Sequence, residues 1–224
     1  MKIICDSPMK KVDKPIIFSD GMVRAILSGR KTMTRRVVKP QPPLDVAPYE
    51  IGVFNPTVVD KYGEEDGGDE IFGVYDQDGE WGAKFPYGGP GSRIWVKESW
   101  RTDQSDEGTG GIIYRADHDI PAVGKCIWKN PLFMPRLASR ITLEIISVRV
   151  ERLWEITPGD AWAEGCPHSD MNAVSLWFRP LWDSINADRG FGWDKNPLVW
   201  VIEFKRIIYG AETIKRRING KLCG

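Results

Sequence analysis

The 224-residue chain predicts a single mixed α+β domain built around a small β-barrel, with short helices on its flanks. Three observations carry this reading. Strand-like segments are separated by single short helices, sheet-forming segments lie near both ends, and the run Ile141 to Val150 alternates in two opposite phases. The domain is expected over 16–207, after an irregular lead-in at 1–15 and before a basic tail at 208–224. Two insertions, at about 40–92 and 103–130, decorate it.

Composition limits what such a domain does. An apolar content of 42% with ten tryptophans excludes general disorder. Thirty-one basic residues against 31 acidic ones leave no overall positive field, so any contact with nucleic acid must come from a local patch. The longest apolar run, Leu198 to Ile202, is far short of the ~20 residues of a membrane helix. Lys2, Asp6, Lys10 and Lys11 interrupt the opening around Ile3-Ile4-Cys5, and without a signal-like apolar region the chain reads as cytoplasmic. Cys5, Cys126, Cys166 and Cys223 form no CxxC pair, and His118 and His168 are the two histidines. Cys166-Pro-His168 therefore reads as a small hydrophobe beside an exposed imidazole; no metal or other cofactor is expected. The absence of a GxSxG elbow removes support for a Ser-His-Asp hydrolase.

Along the chain, Ile16-Ile17-Phe18 predicts a short buried segment, and Ser19 or Asp20 caps a helix carrying Met22, Val23, Ile26 and Leu27 on one face. Gly29 ends that helix in a left-handed conformation. The stretch Arg30 to Arg36 then enters a strand through Val37-Val38. From Asp20 to Lys39 there are six basic residues and one acid, a positive patch on a neutral chain. The proline- and acid-rich insertion that follows predicts a hairpin through Ile71 to Tyr75 and Trp81 to Phe85, with its acids folding over the basic patch.

Ile94 to Trp100 and Ile112 to Arg115 read as strands. Ile141, Leu143 and Ile145 followed by Ile146, Val148 and Val150 predict a long strand with a bulge. Thr157-Pro158-x-Asp160 starts a short helix that Gly165 ends. Asp170 caps another, with Phe178, Leu181, Trp182 and Ile185 on one face and Pro180 starting or kinking its second part. Leu198 to Phe204 reads as a strand buried on both sides.

Several of these segments resemble the ASCH domain family of the PUA-like superfamily, in particular its larger phage and prophage versions. They are Phe18 to Arg36, Pro90 to Trp100, Met134 to Leu153, Ile156 to Gly165, Leu181 to Asn186 and Asn196 to Ile207. The usual Gly-Asp before the middle strand is Gly91-Ser92 here. The resemblance implies a PUA-like barrel with a cleft beside it that recognises RNA or nucleosides. Small bacterial members with the same GRKT-x-T-x-R stretch are similar to amidohydrolases that remove acetyl from N4-acetylcytidine through a lysine, a threonine and a glutamate. The matching positions are Lys31, Thr34 and Glu164.

Amide hydrolysis needs a nucleophile, a base, an oxyanion partner and an acid for the departing amine. Thr34 fills the first role if burial and the neighbouring Arg30, Arg35 or Arg36 depress the Lys31 amine enough for it to accept a proton. Glu164 orients the lysine or protonates the leaving amine, and Arg36 or backbone N–H groups bind the oxyanion. Arg30, Thr32, Arg35, Arg36 and Trp162 complete the expected binding surface, with Trp162 as the base-stacking aromatic on the Glu164 helix. The other element-bound tryptophans, Trp95, Trp100, Trp177, Trp182 and Trp200, read as core.

A strand's period of two puts positions 31 and 34 on opposite faces, so they converge only if Lys31 lies in the turn before the strand. The competing reading of Arg30 to Arg36 is a helix stop followed by a solvated basic strand. Three functions follow: a nucleoside pocket with amidohydrolase activity, a non-catalytic module for single-stranded RNA, or a phage assembly or host-interaction protein.

Overall fold

Residues 11–43, 49–102, 111–118, 127–167 and 172–208 are described in the computed structural model. Its main sheet has the order β1-β8-β11-β12-β2. The strands are β1 (Asp13–Ile17), β2 (Met33–Val37), β8 (Arg93–Lys97), β11 (Thr142–Arg152) and β12 (Leu198–Ile207). β1 runs parallel to β8, and the other three pairings are antiparallel. The lead-in is therefore shorter than expected: backbone pairing with β8 draws Asp13 to Pro15 into a strand despite the proline, which an edge strand tolerates.

The expected bulge is present. The register of β11 on β12 shifts between Ile145 and Ser147, so Ile146 is the extra residue that reverses the phase of alternation. β12 is buried from Leu198 to Ile202 and supplies both sides of the sheet. Trp200 and Ile202 join one core with Phe18, Val23, Ile26 and Ile94, whereas Val199 and Val201 join another with Leu153, Phe178 and Trp182. Cys166 is buried in this second core, as a small hydrophobe should be. His168 lies outside the described residues, as does Asp170.

No backbone ladder closes the main sheet among the described residues. The two edge strands approach through side chains instead. Arg36 of β2 donates from Nη2 to the Ile17 carbonyl of β1 at 2.9 Å, and its guanidinium lies 5.2 Å from the centre of the Phe18 ring. Helix α1 (Asp20–Leu27) joins these edges along the chain, with Val23, Ala25 and Ile26 buried. Ser19 holds its N-cap position without a side-chain cap.

The first insertion forms a three-stranded sheet in the order β3-β6-β7, from β3 (Tyr49–Phe54), β6 (Ile71–Asp76) and β7 (Gly82–Lys84), and a hairpin of β4 (Thr57–Val59) with β5 (Glu65–Gly67). The predicted β6–β7 hairpin is thus present with a third strand added. It is no detached decoration: Phe72, Val74, Trp81 and Phe85 enter the first core, and Phe85 packs edge-on to Trp200 at 5.1 Å. The acids at 64–70 pair with none of the Arg30 to Arg36 cations among the described residues.

The expected strand at Ile94 to Trp100 divides into β8 and β9 (Trp100–Thr102), the latter paired with β10 (Ile112–Tyr114). Between them sits Glu98, wholly buried and held by Arg140 through bonds of 3.0 and 2.9 Å. A two-point bond of this kind compensates a buried carboxylate that would otherwise be costly. The expected tail lies beyond the described residues except for Ile208.

Candidate functional site

Two glycine-terminated helices bring the site together. After α1, Ser28 caps the helix, Gly29 takes φ +77°, and the Lys31 amide returns to the Ala25 carbonyl at 2.9 Å. Because β2 starts at Met33, Lys31 belongs to the turn, and the period-two obstacle disappears. Helix α2 (Pro158–Ala163) begins with a reciprocal cap in which the Thr157 hydroxyl accepts from the Asp160 amide and the Asp160 carboxylate accepts from the Thr157 amide, both at 3.1 Å. It ends at Glu164, and Gly165 turns the chain at φ +105°. A Cβ at Gly165 would stand 3.0 Å from Ala25 Cβ and 3.3 Å from Lys31 Cβ, so the approach of this helix end to α1 depends on glycine. The Thr32 amide, donating to the Ala163 carbonyl at 2.9 Å, ties the two turns.

Lys31 is 2% exposed and Glu164 is 3% exposed, which overturns the reading of a solvated basic stretch. The Lys31 ammonium donates to the Met33 carbonyl (2.8 Å), the Glu164 carbonyl (2.7 Å) and Glu164 Oε2 (2.7 Å). These three bonds account for its three protons. Burial lowers the Lys31 pKa from its ordinary value; Glu164 opposes the change, and Arg36 and Arg35 reinforce it.

Arg35, buried on β2, binds three carboxylates. It bonds Glu151 through Nε at 3.1 Å and again through Nη2, reaches Asp160 Oδ2 at 3.1 Å, and lies 3.5 Å from Glu164 Oε1. Glu164 is therefore held between Lys31 and Arg35. Arg149 extends the network through Glu151 (3.1 Å), Asp160 (3.3 Å) and Glu203 (3.0 Å). Burial works to raise the Asp160 pKa, but bonds from Thr157 and the charges of Arg35 and Arg149 bring it below the ordinary carboxylate value.

Beside β2 is a cavity of about 200 Å³. Thr34, Arg35 and Glu164, all buried, line it. One wall is apolar, formed by Phe178 of a π-helical turn (Ala173–Phe178) and by Leu181, Trp182 and Ile185 of helix α3 (Arg179–Asn186); Pro180 lies in the first turn of α3. Met22, Pro86 and Tyr87 contribute other wall residues, and the cations Lys39 and Arg189, both exposed, also line it.

The backbone of β2 also has an unpaired edge among the described residues. The Phe204 amide donates to the Thr32 carbonyl and the Val38 amide to the Leu198 carbonyl, so the even-numbered residues of this edge face β12. The backbone N–H and C=O groups of Met33, Arg35 and Val37 consequently point to the open side. The Lys31 bond to the Met33 carbonyl agrees with that direction. Arg35 and Val37 are both cavity-lining residues.

Of the sequence-derived residues, Thr34, Arg35, Arg36 and Glu164 line the cavity, with Lys31 directly behind Glu164. No hydrogen bond joins Lys31 to the Thr34 hydroxyl, which has no hydrogen-bond partner among the described residues. Arg30 instead bonds the Gly165 carbonyl at 3.3 Å, and Thr32 is exposed; neither lines the cavity. Trp162, 49% exposed, also lies off it. Residues two apart on a helix do not share a face, so the inward direction of Glu164 turns Trp162 outward. Sequence reasoning missed Glu151, Asp160 and Arg149 as partners in the network, and Tyr87, Lys39 and Arg189 around the cavity. The Phe178-Leu181-Trp182-Ile185 stripe was the available signal for the apolar wall.

Among the described residues, no group of His, Cys, Asp and Glu has the arrangement to hold a metal ion, and no helix is long and apolar enough to cross a membrane. Comparison with family models and with curated proteins gives no match. Among solved structures, protein EF3133 from Enterococcus faecalis V583, described by the family model DUF984, is similar over 90% of this chain and 82% of that one, with 13% identity and a TM-score of 0.37.

Proposed function

We propose that this protein is an ASCH-type nucleoside-recognition enzyme that hydrolyses the acetyl amide of N4-acetylcytidine in the cavity beside β2. The observation that carries the reading is the convergence of Thr34, Glu164 and the Lys31 behind it, all buried, at one small cavity. The apolar wall suits a flat heterocycle, and the outward backbone donors and acceptors of Arg35 and Val37 suit its polar edge.

In the proposed reaction, the Lys31 ammonium passes a proton to Glu164 Oε2, leaving a neutral amine and a neutral acid. Burial favours this charge annihilation. The amine then turns toward Thr34 and takes its hydroxyl proton as Oγ1 attacks the acetyl carbon. Collapse of the tetrahedral intermediate breaks the carbon–nitrogen bond, and Glu164 protonates the departing N4 to give cytidine and acetyl-Thr34. Water adds to this ester, and its cleavage regenerates the Thr34 hydroxyl and releases acetate and a proton.

Purified protein incubated with N4-acetylcytidine is expected to release equimolar cytidine and acetate, resolved by chromatography. Thr34→Ala should lower kcat by at least ~100-fold, the low end for loss of a group acting in proton transfer or nucleophilic chemistry. Absence of turnover by the parent protein, or full turnover by Thr34→Ala, overturns the reading.

A further inference from the structure

We propose that the substrate base enters this cavity attached to a phosphate, and that Lys39 and Arg189 hold that phosphate at the mouth. The inference rests on the base-binding reading above and specifies its substrate class: a nucleoside phosphate, free or as part of a single strand.

Volume supplies the first argument. Pockets that enclose whole drug-sized ligands span roughly 300–1,000 Å³. The cavity beside β2 has about 200 Å³, so it encloses a base-sized group and leaves the attached sugar and its substituents toward the exposed end.

Charge supplies the second. Glu164 is the one carboxylate among the described cavity-lining residues, and Lys31 and Arg35 already neutralise it. Lys39, Arg36 and Arg189 also line the cavity, and none has a carboxylate partner among the described residues. Arg36 is occupied by the Ile17 carbonyl and the Phe18 ring. Lys39 and Arg189 are exposed; the Lys39 ammonium lies 5.0 Å from the centre of the Phe191 ring, another lining residue. Two exposed cations from separate elements, one after β2 and one after α3, thus line the same cavity. A neutral nucleoside gains nothing from them, whereas a phosphate gains two charge-assisted contacts.

Binding of cytidine, cytidine 5′-monophosphate, N4-acetylcytidine, its 5′-monophosphate and a short single-stranded RNA containing one N4-acetylcytidine tests the proposal by calorimetry at two salt concentrations. Phosphorylated ligands are expected to bind about tenfold more tightly than their nucleosides at low salt, the effect of two exposed ion pairs. In Lys39→Ala/Arg189→Ala the nucleotide-to-nucleoside affinity ratio should fall to about one. The salt slope for the RNA should decrease by about 0.7 for each cation removed. Tighter binding of RNA than of the monophosphate identifies a polynucleotide as the source; equal binding identifies the mononucleotide. Either result supports a phosphate site when the double substitution abolishes the preference.

Equal affinity for nucleoside and nucleotide, an unchanged ratio in the double variant, or no binding of any probe overturns the proposal. Its failure is separable from failure of the proposed reaction. Turnover without phosphate preference removes the mouth site alone, whereas phosphate-dependent binding without turnover removes the chemistry alone.

Discussion

Lys31 Nζ lies 2.7 Å from Glu164 Oε2 in a region closed to solvent, although 133 positions separate the two residues. Removal of one member leaves a buried charge with less compensation. Lys31→Met is therefore expected to cost about 3–5 kcal/mol in urea unfolding. Lys31→Met/Glu164→Gln should cost less than the sum of its two single substitutions, which a double-mutant cycle measures.

Arg35→Lys preserves charge but replaces a planar fork with a compact ammonium that cannot serve Glu151, Asp160 and Glu164 together. The expected loss of about 3 kcal/mol corresponds to a Tm decrease of roughly 6–12 °C for a domain of this size. Scanning calorimetry provides the check; an unchanged Tm contradicts a structural role for the fork.

Gly29 and Gly165 separate backbone strain from crowding. Both have positive φ, but a Cβ meets nothing within 4 Å at Gly29 and meets Ala25 and Lys31 at Gly165. Gly29→Ala should cost about 1 kcal/mol from backbone strain. Gly165→Ala should cost about 2–4 kcal/mol because overpacking adds to that strain. Chemical denaturation of the two variants should preserve this order.

The acid limb of the stability profile should depend on Asp160. Its folded pKa lies below the ordinary 3.8, so its stabilisation is complete above 3.8 and is lost as pH falls through the lower folded value. Asp160→Asn should flatten that limb in urea midpoints measured against pH. Lys31 gives a slope of the same sign at the alkaline end, because its folded pKa is also lowered. Its folded pKa is below 10.5, so the unfolded chain holds more proton between those values and stability rises with pH across that window.

Much of the positioning machinery was legible because it depends on local rules. Gly29, the Thr157–Asp160 cap and the phase reversal at Ile146 appear as expected because helix termination, capping and strand alternation require only neighbouring residues. The expected hairpin at 71–85 follows similarly from its turn and alternating sides. The Arg35 network was not legible because its acids come from a strand, a helix cap and a helix end that converge only after folding. Asp160 already had a sufficient local explanation as a cap, which concealed its second partner. Trp162 failed for a geometric reason: proximity in sequence to Glu164 does not supply proximity around a helix.

The outward N–H and C=O groups of Arg35 and Val37 give the free edge of β2 a form of heritable robustness. Most side-chain exchanges at these positions leave the same donor and acceptor in the peptide bond. Proline is the exception that deletes the donor itself, so the lettering of this edge is preserved through sequence drift that would erase a pattern built from side chains.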